Sequence, residues 1–258
     1  METTVTYLRR GLSAESLKIK NSWALWLSVL APLSVVGMTF LVFFFRGDRI
    51  LKPGADPWFH WVGNNFMATS QLLLPMFLAL VTALVNGIEH NSYGWKQLYA
   101  APVPKWTVFV NKYLLLLWLT LVSFVTFWAG LLAAGYLLGF LKPEFGFQHY
   151  QHVAHISIGA FRIFLASLFI LTLQFCISFQ FRNIAVSIGS GIMFVLAFLI
   201  GSSWEHIGYY PYSWPFFAAN TSTSKEAHLF VPQMWYSLGC SAALLVLGTW
   251  YSSKRVRQ

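Results

Sequence analysis

The sequence predicts an all-α integral membrane protein with six transmembrane helices, and three observations carry that prediction. Six apolar stretches have bilayer length. The chain is 57% hydrophobic and 10% charged, where a soluble domain carries about 25% charged residues. Its mean hydropathy is +0.59. Third, the Lys and Arg residues behind the net charge of +9 sit at the ends of the apolar stretches instead of forming one basic face. That placement suits anionic lipid headgroups and excludes nucleic acid as a partner.

Each element follows in order along a single transmembrane domain, residues 1–258. In residues 1–22, Val5, Leu8, Leu12 and Ile19 recur at helical spacing among basic residues, which predicts an amphipathic interfacial helix. Gly11 weakens it by about 1 kcal/mol. A span needs roughly 20 apolar residues, and six stretches meet that need: 23–45, 66–88, 113–140, 163–181, 183–204 and 234–251. The third is longer than the bilayer requires, and the fourth and fifth adjoin so closely that they form a hairpin. Trp23, Trp58, Trp61, Trp106, Trp204, Trp235 and Tyr251 are placed at segment ends as an interfacial belt. No cleaved leader is expected, because the first apolar run is too long for a signal-peptide core.

Orientation follows from the basic residues. With both termini inside, eleven Lys and Arg face the cytoplasm and six face out. Arg162 and Arg182 bracket the fourth span. The aromatic loop 205–233 reads as short re-entrant or interfacial helices broken at Pro211 and Pro215, closing the outer face.

The chemistry is constrained mainly by absences. There is no phosphate-cradling G-x-x-x-x-G-K-[ST] and no G-x-G-x-x-G, so if the chain moves anything uphill, the energy comes from another polypeptide or an ion gradient. The spans lack the buried titratable groups an ion relay needs. Gln71, Asn86, Thr172, Gln174 and Ser178 are their polar content, suited to hydrogen bonds between helices or to a substrate-facing role. Cys176 and Cys240 fall within apolar stretches and have no metal-ligand or disulfide spacing. His149, His152 and His155, at three-residue intervals on the outer side, offer imidazoles to a metal. A membrane-embedded metal enzyme is therefore the rival reading, against an interfacial helix with no metal.

One loop stands apart from the apolar body. Between 88 and 113 the chain reads Glu89-x5-Trp95-Lys96-x-Leu98, then Pro102-x2-Lys105 and Lys112. Asn91 and Ser92 can cap a short helix that Pro102 and Pro104 end. Its aromatic and aliphatic face would turn to the cytoplasm, a shape for docking onto a partner.

These residues, with the entry segment from Ser13 through Glu15, Lys18 and Lys20 to Ser22 and a first span containing Pro32, resemble the membrane subunits of ABC exporters of the type-2 permease class. In size the chain is nearest to bacteriocin and lantibiotic self-protection permeases. Members typically carry a Ser-Arg pair after the loop proline, where this chain has Pro104-Lys105. The resemblance implies a cytoplasmic coupling helix between helices 2 and 3, with Glu89, Trp95, Lys96, Leu98, Pro102 and Lys105 contacting or positioning an ABC ATPase. ATP and Mg would be bound by that ATPase and no cofactor by this chain, which would not itself be an enzyme. A second permease copy or paralogue would complete a dimer in the bacterial inner membrane. The substrate implied is amphipathic or lipid-like, such as an antimicrobial peptide, exported between the subunits.

Overall fold

The computed structural model describes residues 4–20, 22–51, 54, 56–91, 104–149, 153–222 and 230–254. Helix α1 (Thr4–Ile19) turns a tight corner, closed by the Ser22 amide on the Ile19 carbonyl, into α2 (Trp23–Ile50). Asp56 then caps α3 (Pro57–Ala68), accepting from the Trp58 amide, with Pro57 in the first turn where its missing N–H costs nothing. A π-helical turn, Thr69–Leu73, joins α3 to α4 (Leu74–Asn91), so one long helical segment crosses the molecule with an irregularity at its middle.

The 37-residue α5 (Lys105–Leu141) starts after Pro104 and stops before Pro143. Helices α6 (Val153–Gln180) and α7 (Ile184–Ile200) form a hairpin, α7 being capped by the Asn183 side chain on the Ala185 amide. Short 3-10 turns at Ile207–Tyr209 and Pro211–Ser213 lead into α8 (Trp214–Ser222), and α9 (Pro232–Lys254) is the last helix.

Among the described residues five helices are long and apolar enough to cross a membrane: 23–50, 57–90, 105–141, 153–180 and 184–203. The sixth expected span falls on α9, which has 23 residues. Ser237, Ser241, Thr249, Ser252 and two glycines dilute its apolar character. Helix α6 is the hub, packed against α4, α5, α7, α8 and α9, while α2 leans on α5 and α7 on α4. Many large apolar side chains of α2 and α7 face outward, among them Trp26, Met38, Phe45, Met193 and Ile200, as lipid-facing helices require.

Several sequence expectations change here. Trp58 and Trp61 are fully buried instead of lying at an interface, and their indole N–H groups donate to the carbonyls of Phe147 (2.9 Å) and Leu131 (3.1 Å). An indole looks interfacial to a hydropathy scale, yet it packs inside once its one donor finds a partner. Arg162 does not flank a span; it lies inside α6 and is fully buried. The helices accordingly extend past the apolar stretches that suggested them. Pro215 does not break a helix either, since it occupies the first turn of α8. The aromatic segment does dip inward: Tyr212, Trp214 and Ala218 are buried, and the Tyr212 hydroxyl accepts from Gln174 Nε2 at 2.5 Å.

Candidate functional site

The loop between α4 and α5 leaves one end of the bundle, and its base is built from charges. On α1, Gly11, Glu15 and Ile19 form a stripe at four-residue spacing turned toward the body, while Leu12 and Leu17 stay exposed. The docked face of α1 is therefore this mixed stripe, and apolar Leu12 and Leu17 are left on the outside. Close approach is possible because position 11 has no side chain: a methyl built there would lie 1.9 Å from Asn111 Nδ2 on α5.

That approach brings four charges together. Lys112 Nζ, fully buried two turns into α5, lies 2.6 Å from Glu89 Oε2 and 3.1 Å from Glu15 Oε2. Lys18 Nζ lies 2.7 Å from Glu15 Oε1 and 3.0 Å from Glu89 Oε1. Each ammonium thus bridges both carboxylates, and the square is neutral. Both carboxylates are almost fully buried, and Lys18 is the one member reaching solvent, with its side chain 33% exposed. Burial alone would lower the Lys18 pKa, but the hydrogen bonds and charges of Glu15 and Glu89 outweigh it and hold the ammonium above its ordinary range.

Buried charge is tolerated only when paired and hydrogen-bonded; taking away one partner of such a pair typically costs about 3–5 kcal/mol. The cluster therefore fixes α1 to both ends of the 92–103 loop at once, through Glu89 before it and Lys112 after it. A second set of contacts fixes the same end of α4 to α6. Asn86 Nδ2 donates to Ser178 Oγ at 2.7 Å, and His90 Nε2 lies 3.1 Å from the Ser178 carbonyl.

Among the residues expected to meet a partner, Glu89 lies in this cluster and is 3% exposed. Lys105 is half-buried in the first turn of α5. Trp95, Lys96, Leu98 and Pro102 lie outside the described residues. Motif reading put Lys112 in the same run as Glu89; Glu15 and Lys18, in the entry segment, are the members it did not join to them. The signal available was that Glu15 is the one carboxylate between Ser13 and Ser22, beside Lys18 and Lys20. Among the described residues no group of three His, Cys, Asp or Glu is placed to hold a metal ion. His152 and the His149 side chain lie outside the described residues, and His155 is half-buried in the first turn of α6.

Deeper in the bundle, Pro32 of α2 and Thr69 and Leu73 of the π-turn face one small void of about 40 Å³, closed by Phe77, Phe124 and Phe127. Two interruptions of regular helical hydrogen bonding thus share one apolar space.

Helices long and apolar enough to cross a bilayer define a multi-pass membrane protein. Sequence comparison identifies which: the model of the family described as ABC-2 family transporter protein matches residues 11–200, and the chain belongs to that family. It is thus a transmembrane subunit of an ABC transporter. The match begins at the glycine that lets α1 dock and includes all four charges. Comparison with curated proteins and with solved structures gives no significant match.

Proposed function

We propose that this chain is the permease subunit of an ATP-driven exporter, energised by a separate ABC ATPase that binds ATP and Mg. The observation that carries the reading is the Glu15–Lys18–Glu89–Lys112 square, which ties α1 to both ends of the 92–103 loop. In this reading the loop is a coupling helix. Trp95, Lys96, Leu98, Pro102 and Lys105 meet the ATPase, and buried Glu89 positions them. The chain has six spans, α9 being the sixth, with both termini in the cytoplasm of a bacterial cell.

The mechanism is two-state. ATP draws the ATPase domains together, and the coupling loops of two permease subunits move with them. Because the charged square joins loop, α1, α4 and α5, that displacement reaches the helices as a unit. The neighbourhood of Pro32 and the π-turn supplies give, since irregular helical turns accept bending at low cost. The pathway would lie between this subunit and a second copy or paralogue, along residues 23–45 of α2 and along α7, whose outward faces are uncharged. Such faces suit an amphipathic or lipid-like substrate, for instance an antimicrobial peptide.

The test is co-purification from native membranes with quantification of ATP hydrolysis. Wild-type protein should carry a stoichiometric P-loop ATPase. Trp95→Ala should lose that partner or uncouple its hydrolysis from transport while the permease itself stays folded. Intact coupling in Trp95→Ala would overturn the docking assignment.

A further inference from the structure

Two of the side chains that line the void shared by Pro32 and the π-turn are hydroxyls with nothing to bond. Most buried hydroxyls of these helices donate to a carbonyl of the preceding turn, as Ser28, Thr82, Thr120 and Thr172 do. Thr69 on the π-turn and Ser123 on α5 do not. Thr69 Oγ1 is buried with no partner among the described residues. Ser123 is 6% exposed, and its hydroxyl makes no hydrogen bond among them either. Both residues line the same void.

The backbone beside the void is short of donors as well. Pro32 has no N–H, so the Ser28 carbonyl, one turn earlier on the same buried face of α2, lacks the donor that a regular helix supplies. On the π-turn the Leu74 amide bonds the Thr69 carbonyl, five residues back instead of four. The next residue is Pro75, so no helical donor remains for the Ser70 carbonyl. A membrane interior offers such groups nothing, and they must be satisfied from within the protein or by ordered water. Val35, Leu74, Phe77, Phe124 and Phe127, which complete much of the wall, have no donor in their side chains.

The size suits a small polar ligand. The void measures about 40 Å³, and one water needs roughly 10–15 Å³ measured the same way. An acyl chain or an apolar side chain of a substrate would fill the space and leave both hydroxyls unpaired.

We propose that this void is a binding site for water, holding about two molecules. They bridge the Thr69 and Ser123 hydroxyls and serve the carbonyls that Pro32 and Pro75 leave without a helical donor. Water of this kind lets two helices bend together. When α2 tilts at Pro32 or the π-turn rewinds, a water exchanges partners and no carbonyl is left bare. The site does not depend on the ATPase reading, since it needs only the helices and a bilayer around them.

The experiment is X-ray hydroxyl-radical labelling of the full-length protein in lipid nanodiscs, in which a bound water oxidises the side chains beside it, followed by mass spectrometry. Phe124 and Phe127 should be labelled several times faster than Phe43, a comparably buried ring that does not line the void. Thr69→Val combined with Ser123→Ala keeps the shape and removes both hydroxyls, and labelling of the two rings should fall to the Phe43 rate. If that protein does not fold, each single variant serves, with part of the labelling lost. Thr69→Ser keeps its hydroxyl and should be labelled as wild type is. Rings labelled no faster than Phe43 in wild type overturn the proposal, and so does labelling that survives removal of both hydroxyls. Xenon pressure gives a second reading, because a dry apolar cavity takes up xenon. Xenon should enter the hydroxyl-free variant alone; entry into wild type would show a dry void and overturn the proposal. Slow labelling with xenon excluded would overturn it too, assigning the space to a lipid tail.

Discussion

The two ends of the bundle are closed by opposite chemistry. At the loop end, four formal charges in one neutral square hold α1, α4 and α5. At the other end the closing contacts are mostly neutral, apart from buried Arg162 and the exposed Lys142–Glu144 pair. The indoles of Trp58 and Trp61 donate to backbone carbonyls, Trp58 packs edge-on against Phe147 with ring centres 5.4 Å apart, and Tyr212 reaches in to Gln174. A charge square is concentrated: one lost member leaves a buried ion without its counter-charge. An aromatic closure is spread over many contacts, each individually modest, so it yields gradually. Under the proposed exporter reading, force enters at the loop end, where the grip is rigid, and cargo leaves at the other, where the closure can be rearranged.

The sharpest way to break this comparison is Lys112→Met. It leaves two buried carboxylates with only the partly exposed Lys18 between them, and should cost about 3–5 kcal/mol. The readouts are a lowered unfolding midpoint in detergent and new protease cleavage in α1. Adding Glu89→Gln to it restores charge balance and should recover much of the loss; a midpoint that stays low in the double variant would show that packing, not charge, holds this end.

Tyr212→Phe probes the aromatic segment that reaches in from the other end. Gln174 Oε1 already has no hydrogen-bond partner among the described residues, so losing the hydroxyl strands the rest of a fully buried amide. The expected cost is about 1–3 kcal/mol, with α1 as protected as before. Exposure of α1 in this variant would mean the two ends are not independent.

Gly11→Ala has a smaller net effect, because a gain of about 1 kcal/mol in helix propensity opposes the clash with Asn111. Its signature is local: faster hydrogen exchange in α1 and little change in the midpoint. The smallest effect is on pH dependence. The Lys18 pKa is raised in the folded protein above its ordinary 10.5, so its contribution is complete below that value and fades only as pH rises through the higher folded one. Hydrogen exchange in α1, corrected for the intrinsic pH dependence, should therefore show no Lys18-linked loosening between about pH 6 and 9. Loosening within that range would assign the grip to another group.

Much of the fold was legible because lipid imposes a length and a polarity on anything that crosses it. The family was legible because the entry segment and the 89–105 motif are each a short continuous run of sequence. What could not be read were pairings across distance. Glu15 and Lys112 are 97 residues apart, and although each lay in a recognised motif, nothing in the sequence paired their charges. Trp58, Trp61 and Arg162 were misplaced for a related reason. Hydropathy scores a side chain as though its polar atoms stay unpaired, whereas a buried indole that reaches a carbonyl is a good core residue. The glycine of α1 was read as a weakness of an isolated helix, when its use is to let another helix come near.

Helix α5 adds a mechanical consequence. Its 37 residues make a rod about 55 Å long, gripped near its start by the charged square and reaching at its far end the Trp58 and Phe147 cluster. A rod of that length acts as a lever: a tilt of about 5° about one end sweeps the other through roughly 5 Å. Small strokes delivered beside the loop would thus arrive at the opposite face enlarged to the width of a side chain.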